Sequence, residues 1–310
     1  MKTLRKPVFL AAGAYSVSLG TGRSEFHPRK PRPGLEQYVK DVGGAVLAQI
    51  PDASLVDEGV IANFMAARFN RQGNLAGLMP TIHPSFLYKP FVRVEGACGS
   101  GGLGLATGIK TVLAETADVV MVLGVEVQNT VKAVYGADIL AGAGHYASQR
   151  KNGHAFFFPG CFSDRAGAYA ARYGAEKTRA AMARWFVNAI ENARRNPLAQ
   201  EYQNKAADLM ALGLTPPNPA GFTDHLNLYD CSKVSDGAAA ILVCSEEGIK
   251  KLGLRREDVC EVAGLGQAEG DLTALPPDQT ELTTSKAAAT KALAMAGMAA
   301  RDIGVFEVHD

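Results

Sequence analysis

Val94-Glu95-Gly96-Ala97-Cys98-Gly99-Ser100-Gly101-Gly102-Leu103-Gly104 joins an extended run, Phe91 to Glu95, to a stretch of small and apolar residues that continues to about Glu115. Val119-Val120-Met121-Val122-Leu123 follows with no polar face, as a strand covered on both sides requires. Strand, glycine-rich turn, helix and buried strand form the unit of an α/β fold.

A cysteine at such a turn meets unpaired N–H groups and the positive end of the helix dipole, which favour thiolate and activate a nucleophile. The glycines beyond it let a substrate approach the backbone, where N–H groups can face an oxyanion. A small thiol packed beside a tight helix start gives the same pattern, and the spacing leaves both readings of Cys98 open. Gly99, Gly101 and Gly104 also spell GxGxxG, with Glu126 after the next strand where a ribose-binding acid is sought. Against dinucleotide binding stand Arg93 and Glu95 in the entering strand and the motif's place deep in the chain.

Upstream, Leu35, Val39, Val42, Val46 and Ile50 recur at helical spacing, Val60 to Phe64 reads as a buried strand, and a short helix is expected around Leu75 to Leu78. The apolar stretch after the basic Met1 to Lys6 is short and reads as a first strand rather than a signal peptide. Downstream, Val125 to Thr223 shifts toward loops and exposed helices. One of these carries the stripe Ala181, Met182, Trp185, Phe186, Ala189, Ile190 and Ala193 and ends before Pro197. Asp236 to Ala240 leads into a strand at Ile241 to Cys244 and a helix at Glu246 to Leu252. A second half begins near Val259, with strand Val262 to Leu265, helix Ser285 to Ala296 closed by Gly297, and strand Val305 to Val308. This helix, link and strand repeat the order of helix 35–50 and strand 60–64. The division expected is 1–124 with 224–256 as a first half, 125–223 as a covering loop domain, and 257–310 as the start of a second half. Stopping one strand into that half would expose apolar sheet area at about 25 cal/mol per Å², so the sequence is expected to be part of a longer chain.

With 310 residues, 47% of them hydrophobic, the chain can bury a sizeable core, roughly two domains of about 150 residues. Lys plus Arg is 32 and Asp plus Glu is 31, so no polyanionic or membrane partner is expected. No apolar run approaches the ~18 residues of a transmembrane helix. Five scattered cysteines without CxxC suit free thiols and the cytoplasm. His27, His83, His145, His154 and His225 show no metal-ligand spacing, and no metal site is expected. His309 follows an apolar strand and would face the crevice at the sheet's carboxyl end. Ser232 bonds a ligand amide or caps a turn. Glu126 and Asn129 follow the central strand and are expected to pin the loop there.

Together these segments resemble the thiolase superfamily, in the branch of sterol carrier protein x thiolases and archaeal acetyl-CoA acetyltransferases. The resemblance spans the chain through Gly96 to Gly102, Gly124-Val125-Glu126, Asn196-Pro197, Ser235 to Ala240, and Glu307-Val308-His309-Asp310. It implies a layered αβαβα fold with two pseudo-repeated halves, the second incomplete here. It also implies Claisen-type acyl transfer with coenzyme A as co-substrate and no other cofactor. Cys98 would attack the 3-keto carbon of a 3-oxoacyl-CoA and pass the acyl group to free CoA. His309 matches the histidine of the His-Asp-Cys-Phe motif, which holds a water against the thioester enolate, and Ser232 matches a serine on the pantetheine arm. The family's Gly-His-Pro histidine and Cys-x-Gly cysteine would follow His309, so turnover is expected only when the remainder, or another polypeptide, supplies them. A homodimer or tetramer is implied, and some members of the branch associate with a small zinc-binding OB-fold protein. The alternatives are a non-catalytic CoA-ester-binding subunit of a larger complex and a condensing enzyme of hydroxymethylglutaryl-CoA synthase type. Phe156-Phe157-Phe158, Tyr146 and Met182 line an acyl pocket or simply pack the covering segment.

Overall fold

The computed structural model describes residues 3–150 and 154–308. It opens with β1 (Phe9–Tyr15), the two-residue β2 (Leu19–Gly20), α1 (Leu35–Leu47), β3 (Glu58–Ala62), α2 (Ala66–Phe69), β4 (Phe91–Val94), α3 (Ser100–Leu113) and β5 (Val119–Glu126). The covering stretch contributes α4 (Ala133–Leu140), α5 (Tyr146–Gln149), α6 (Phe157–Tyr173), α7 (Ala175–Ala193) and α8 (Leu209–Gly213). The chain then returns through β6 (Ser235–Cys244), α9 (Glu246–Lys251), β7 (Cys260–Glu261) and α10 (Thr283–Ala296).

The strands form one mixed sheet in the order β4-β3-β5-β6-β1-β7, with β2 beside β6. β3 runs parallel to β4 and β5, whereas β6 is antiparallel to β5 from Val119↔Cys244 to Glu126↔Gly237. Side chains on β5 alternate between two covered faces, which is why its sequence shows no polar stripe. Val119, Met121, Leu123 and Val125 join Ile61 and Leu242 in the cluster that takes Val39, Val42 and Val46 of α1. Val120 and Val122 join Val60 and Val243 with Ile109 and Val112 of α3. α3 comes unusually close to the sheet. A Cβ on Gly108 would stand 2.8 Å from Val122 Cγ2, and one on Gly104 would stand 3.1 Å from Ala62 Cβ.

Several expected elements move. Leu75–Thr81 is a 3-10 segment, because Pro80 cannot donate to an α-helical ladder. The small-residue run at Asp236 to Ala240 is part of β6 itself. The strand expected at Val262 to Leu265 is not formed: only Cys260 and Glu261 pair with β1, and Gly264 and Gly266 instead lie against the α10 backbone at Ala292 and Ala288. Val305 to Val308 is likewise no strand, since none of the described strands pairs with it, and Val305, Phe306 and Val308 are exposed. α10 ends where expected, at Gly297 with φ 68°.

α6 is fastened to the chain ahead of α10. Arg165 Nη1 donates to the Gln279 and Glu281 carbonyls at 3.0 and 3.2 Å, and Arg172 Nη1 donates to Asp278 Oδ2 at 2.9 Å and Thr280 Oγ1 at 2.6 Å. Among the described residues no helix is long and apolar enough to cross a membrane.

Candidate active site

Cys98 sits one residue before Gly99, which caps the amino end of α3. Ala97 has φ 50°, a left-handed conformation that costs a residue with a Cβ about 1 kcal/mol or more, so the turn must be held by its surroundings. The restraints are local. Ser100 is buried, its Oγ accepting from Gly96 N–H at 3.0 Å and donating to the Ala97 carbonyl at 2.6 Å. Ala97 N–H donates to Glu95 Oε1 at 2.5 Å, Gly99 N–H to the Gly96 carbonyl at 2.9 Å, and Ser100 N–H to the Ala97 carbonyl at 3.1 Å. Leu103 lies over Gly96, filling the space a Cβ would take there.

Replacing Ser100 with alanine leaves Gly96 N–H without its partner and takes from the Ala97 carbonyl one of its two donors. We expect a stability loss of about 1–3 kcal/mol, read as a lower urea midpoint at unchanged slope.

The cysteine itself is exposed, not packed away. Gly101 and Gly102 are also exposed, and nothing stands within 4 Å of a Cβ built on either, so a ligand can reach the backbone of the first helical turn. The sulfur's electrostatics differ from what a helix end alone implies. Loss of solvent around it pushes the Cys98 thiol up, its own backbone N–H pulls it down, and the nearby Glu126 carboxylate pushes it up again. Seating at the helix start therefore does not by itself leave a thiolate, and the proton must pass to a base.

The carboxyl edge of the parallel strands is cross-tied behind this turn. Asn63 is buried, donating from Nδ2 to the Val125 carbonyl at 2.7 Å and accepting from Ala66 N–H at 2.9 Å. Arg93 Nη2 donates to the Phe64 carbonyl at 2.8 Å and to Asn63 Oδ1 at 3.2 Å. Glu126 Oε1 accepts from Phe64 N–H at 2.5 Å. Asp236 is buried and accepts from the N–H groups of Gln128 and Asn129 at 2.7 and 2.9 Å. Asn129 is thus a loop pin, and so is the aspartate of the Ser-Asp-Gly-Ala run.

Ser232 is exposed on the approach to β6, at the same sheet edge as the Cys98 turn, since Gly237 pairs with Glu126. Its loop is fixed on both sides. Arg179 grips Asp230 with two nitrogens, and Lys233 pairs with Glu201 at 2.5 Å. No hydrogen bond joins Ser232 to Cys98 among the described residues. His309 lies outside the described residues. Phe157 is buried on α6 and meets Phe158 edge-on at 5.2 Å, so within the Phe156 to Phe158 run this pair serves packing. The expected motifs did not reveal Ser100 as a brace. Its signal was a serine two residues after the cysteine, opening a helix that offers no other side-chain cap.

Residues 43–211 match the family described as "Thiolase, N-terminal domain". An acetyl-CoA acetyltransferase of Methanocaldococcus jannaschii is 32% identical over 294 residues, covering 94% of this chain and 71% of that protein. One from Methanothermobacter thermautotrophicus is 30% identical over 273 residues, covering 86% and 67%. Among solved structures, one described as "Ltp2-ChsH2(DUF35) aldolase" superposes with a TM-score of 0.72 at 21% identity, covering 97% of this chain and 72% of that one.

Proposed function

The chain belongs to the thiolase family, and from that premise we infer that it carries out acyl transfer between coenzyme A thioesters with Cys98 as the acyl-accepting nucleophile. The observation that carries this reading is an exposed cysteine on a strained, braced turn at the amino end of α3, beside two open glycines. In the cleavage direction Sγ adds to the 3-keto carbon as its proton passes to a base. The bond between carbons 2 and 3 then breaks, its electrons form the thioester enolate, and a proton completes the shortened CoA ester. The thiol of free CoA next takes the acyl group from sulfur. N–H groups of the first α3 turn would face the oxyanion. Ser232 would hold the pantetheine arm, and His309 would hold a water against the thioester enolate.

Incubation of the protein, together with the segment or polypeptide that supplies the base, with acetyl-CoA or a 3-oxoacyl-CoA, followed by intact-mass and peptide analysis, should show one acyl group on Cys98. Cys98→Ser should show none on that peptide. An adduct spread over the other cysteines, or absent, sinks the assignment.

One finding favours a second reading, in which the chain is a CoA-ester-binding subunit of a larger assembly. The similar solved structure is described with a DUF35 component. Saturable CoA-ester binding without any Cys98 adduct, gained or strengthened by a small zinc-bearing partner, would select it.

A further inference from the structure

We propose that Glu126 helps to hold Cys98 in its resting form: its carboxylate, kept at the crest of the sheet on the α3 face, adds a like charge to the partial desolvation of the sulfur and so favours the neutral thiol until a base collects the proton. The inference rests on the reading of Cys98 as the nucleophile, and it concerns a residue that the acyl-transfer chemistry leaves unused.

Placement comes from register and parity. Ala62 of β3 pairs with Val94 of β4 and with Gly124 of β5, so Glu126, the last residue of β5, stands two residues beyond the last paired level of β3 and β4. Glu126 shares the parity of Val120 and Val122, whose side chains pack against α3. Its Oε1 reaches across to Phe64 N–H at 2.5 Å, which draws the carboxyl over β3. α3 rises from that spot, because Gly104 lies against Ala62, Val122 and Val94 together. The helix start and its cysteine are therefore set over the carboxyl.

The other charged groups around this crest are few. Arg93 comes from β4 but spends its Nη2 on Asn63 and the Phe64 carbonyl, and Glu95 follows β4 with Oε1 taken by Ala97 N–H. The first charged side chain on α3 is Lys110, about 15 Å along the axis from Ser100. Burial raises the Glu126 carboxyl above its usual value, against the hydrogen bonds from Phe64 N–H and Gln128 and the Arg93 charge, which lower it, while Glu95 raises it; Glu126 in turn raises the Cys98 thiol. When the carboxyl is ionised, a like charge forming on sulfur is disfavoured, so removing the carboxylate must lower the thiol and speed its reaction near neutrality.

The test is the pH profile of iodoacetamide alkylation at Cys98, read by peptide mass spectrometry on the whole protein. Cys260, exposed on β7 at the other end of the strand order, serves as the internal reference. Glu126→Gln should move the Cys98 midpoint to lower pH, with alkylation at pH 7.5 faster by up to about 3-fold. Glu126→Asp, which keeps the charge, should stay near the parent, and Cys260 should not move. Superposed profiles for parent and Glu126→Gln overturn the proposal, as does an equal shift in both variants, which would mark a structural effect. The unaltered protein gives a second reading. Below neutrality the Cys98 rate should fall less than tenfold per pH unit across the Glu126 titration, and an unbroken tenfold slope also overturns the proposal. Alkylation does not require Cys98 to accept an acyl group, so failure here and failure of the acyl-adduct experiment are distinguishable.

Discussion

Replacing Arg179 with methionine is expected to destabilise the protein by about 3–5 kcal/mol, the range for removing one partner of a buried ion pair. The Asp230 side chain is 2% exposed and that of Arg179 16%, with Nη1 to Oδ2 at 2.7 Å and the second nitrogen on Oδ1. Oδ2 also accepts from Asn227 N–H at 2.8 Å, closing the short turn at Leu228–Asp230. Without the guanidinium a carboxylate would remain buried with a single weak donor. Urea unfolding should register the loss, and protease should cut first between residues 228 and 235. Replacing both residues, Arg179→Met with Asp230→Leu, should recover most of the stability, because two apolar side chains need no partner. A single variant within ~1 kcal/mol of the parent contradicts the pairing.

Gly108→Val should cost about 3 kcal/mol or more and disturb the Cys98 turn as well. Its Cβ would meet Val122 Cγ2 at 2.8 Å and Val243 Cγ2 at 3.2 Å, on two strands in the middle of the sheet. Neither side chain has room to yield, so α3 must lift, which is the overpacking penalty at its severe end. Gly101→Ala is the contrast. Its position is open, and the gain in helix propensity should stabilise by about 0.5–1 kcal/mol. Thermal unfolding of the pair separates close packing from a generic effect of substituting glycine.

The α/β character and most of the sheet were legible because β3, β5 and the apolar half of β6, Ile241 to Cys244, announce themselves by apolar runs, and α1 by its spacing. The Cys98 turn was legible for the same reason: strand, glycines and helix succeed one another within a short stretch. Other features were not. Val305 to Val308 has strand composition, but a strand exists only where a neighbour offers its backbone, and composition does not carry that information. The strength of a thiol at a helix start cannot be read from the start alone, since partial loss of solvent around the sulfur and a carboxylate from another strand oppose it. Parity along β5 would have placed Glu126 on the α3 face, whereas the motif directed attention to a nucleotide ribose. Asp236 looked like one of a small-residue run, and only the pairing of β5 with β6 shows it tying down residues 128 and 129.

α3 contains four glycines in fourteen residues, each about 1 kcal/mol poorer than alanine at forming helix. By itself this segment would stay unwound, and what winds it is contact with strands drawn from positions 58 to 62, 91 to 94, 119 to 126 and 235 to 244. Most of the first 244 residues must therefore be assembled before the sulfur acquires its setting. A nascent or partly denatured chain carries an ordinary cysteine there, so the rate at which Cys98 reacts reports how completely the molecule has folded.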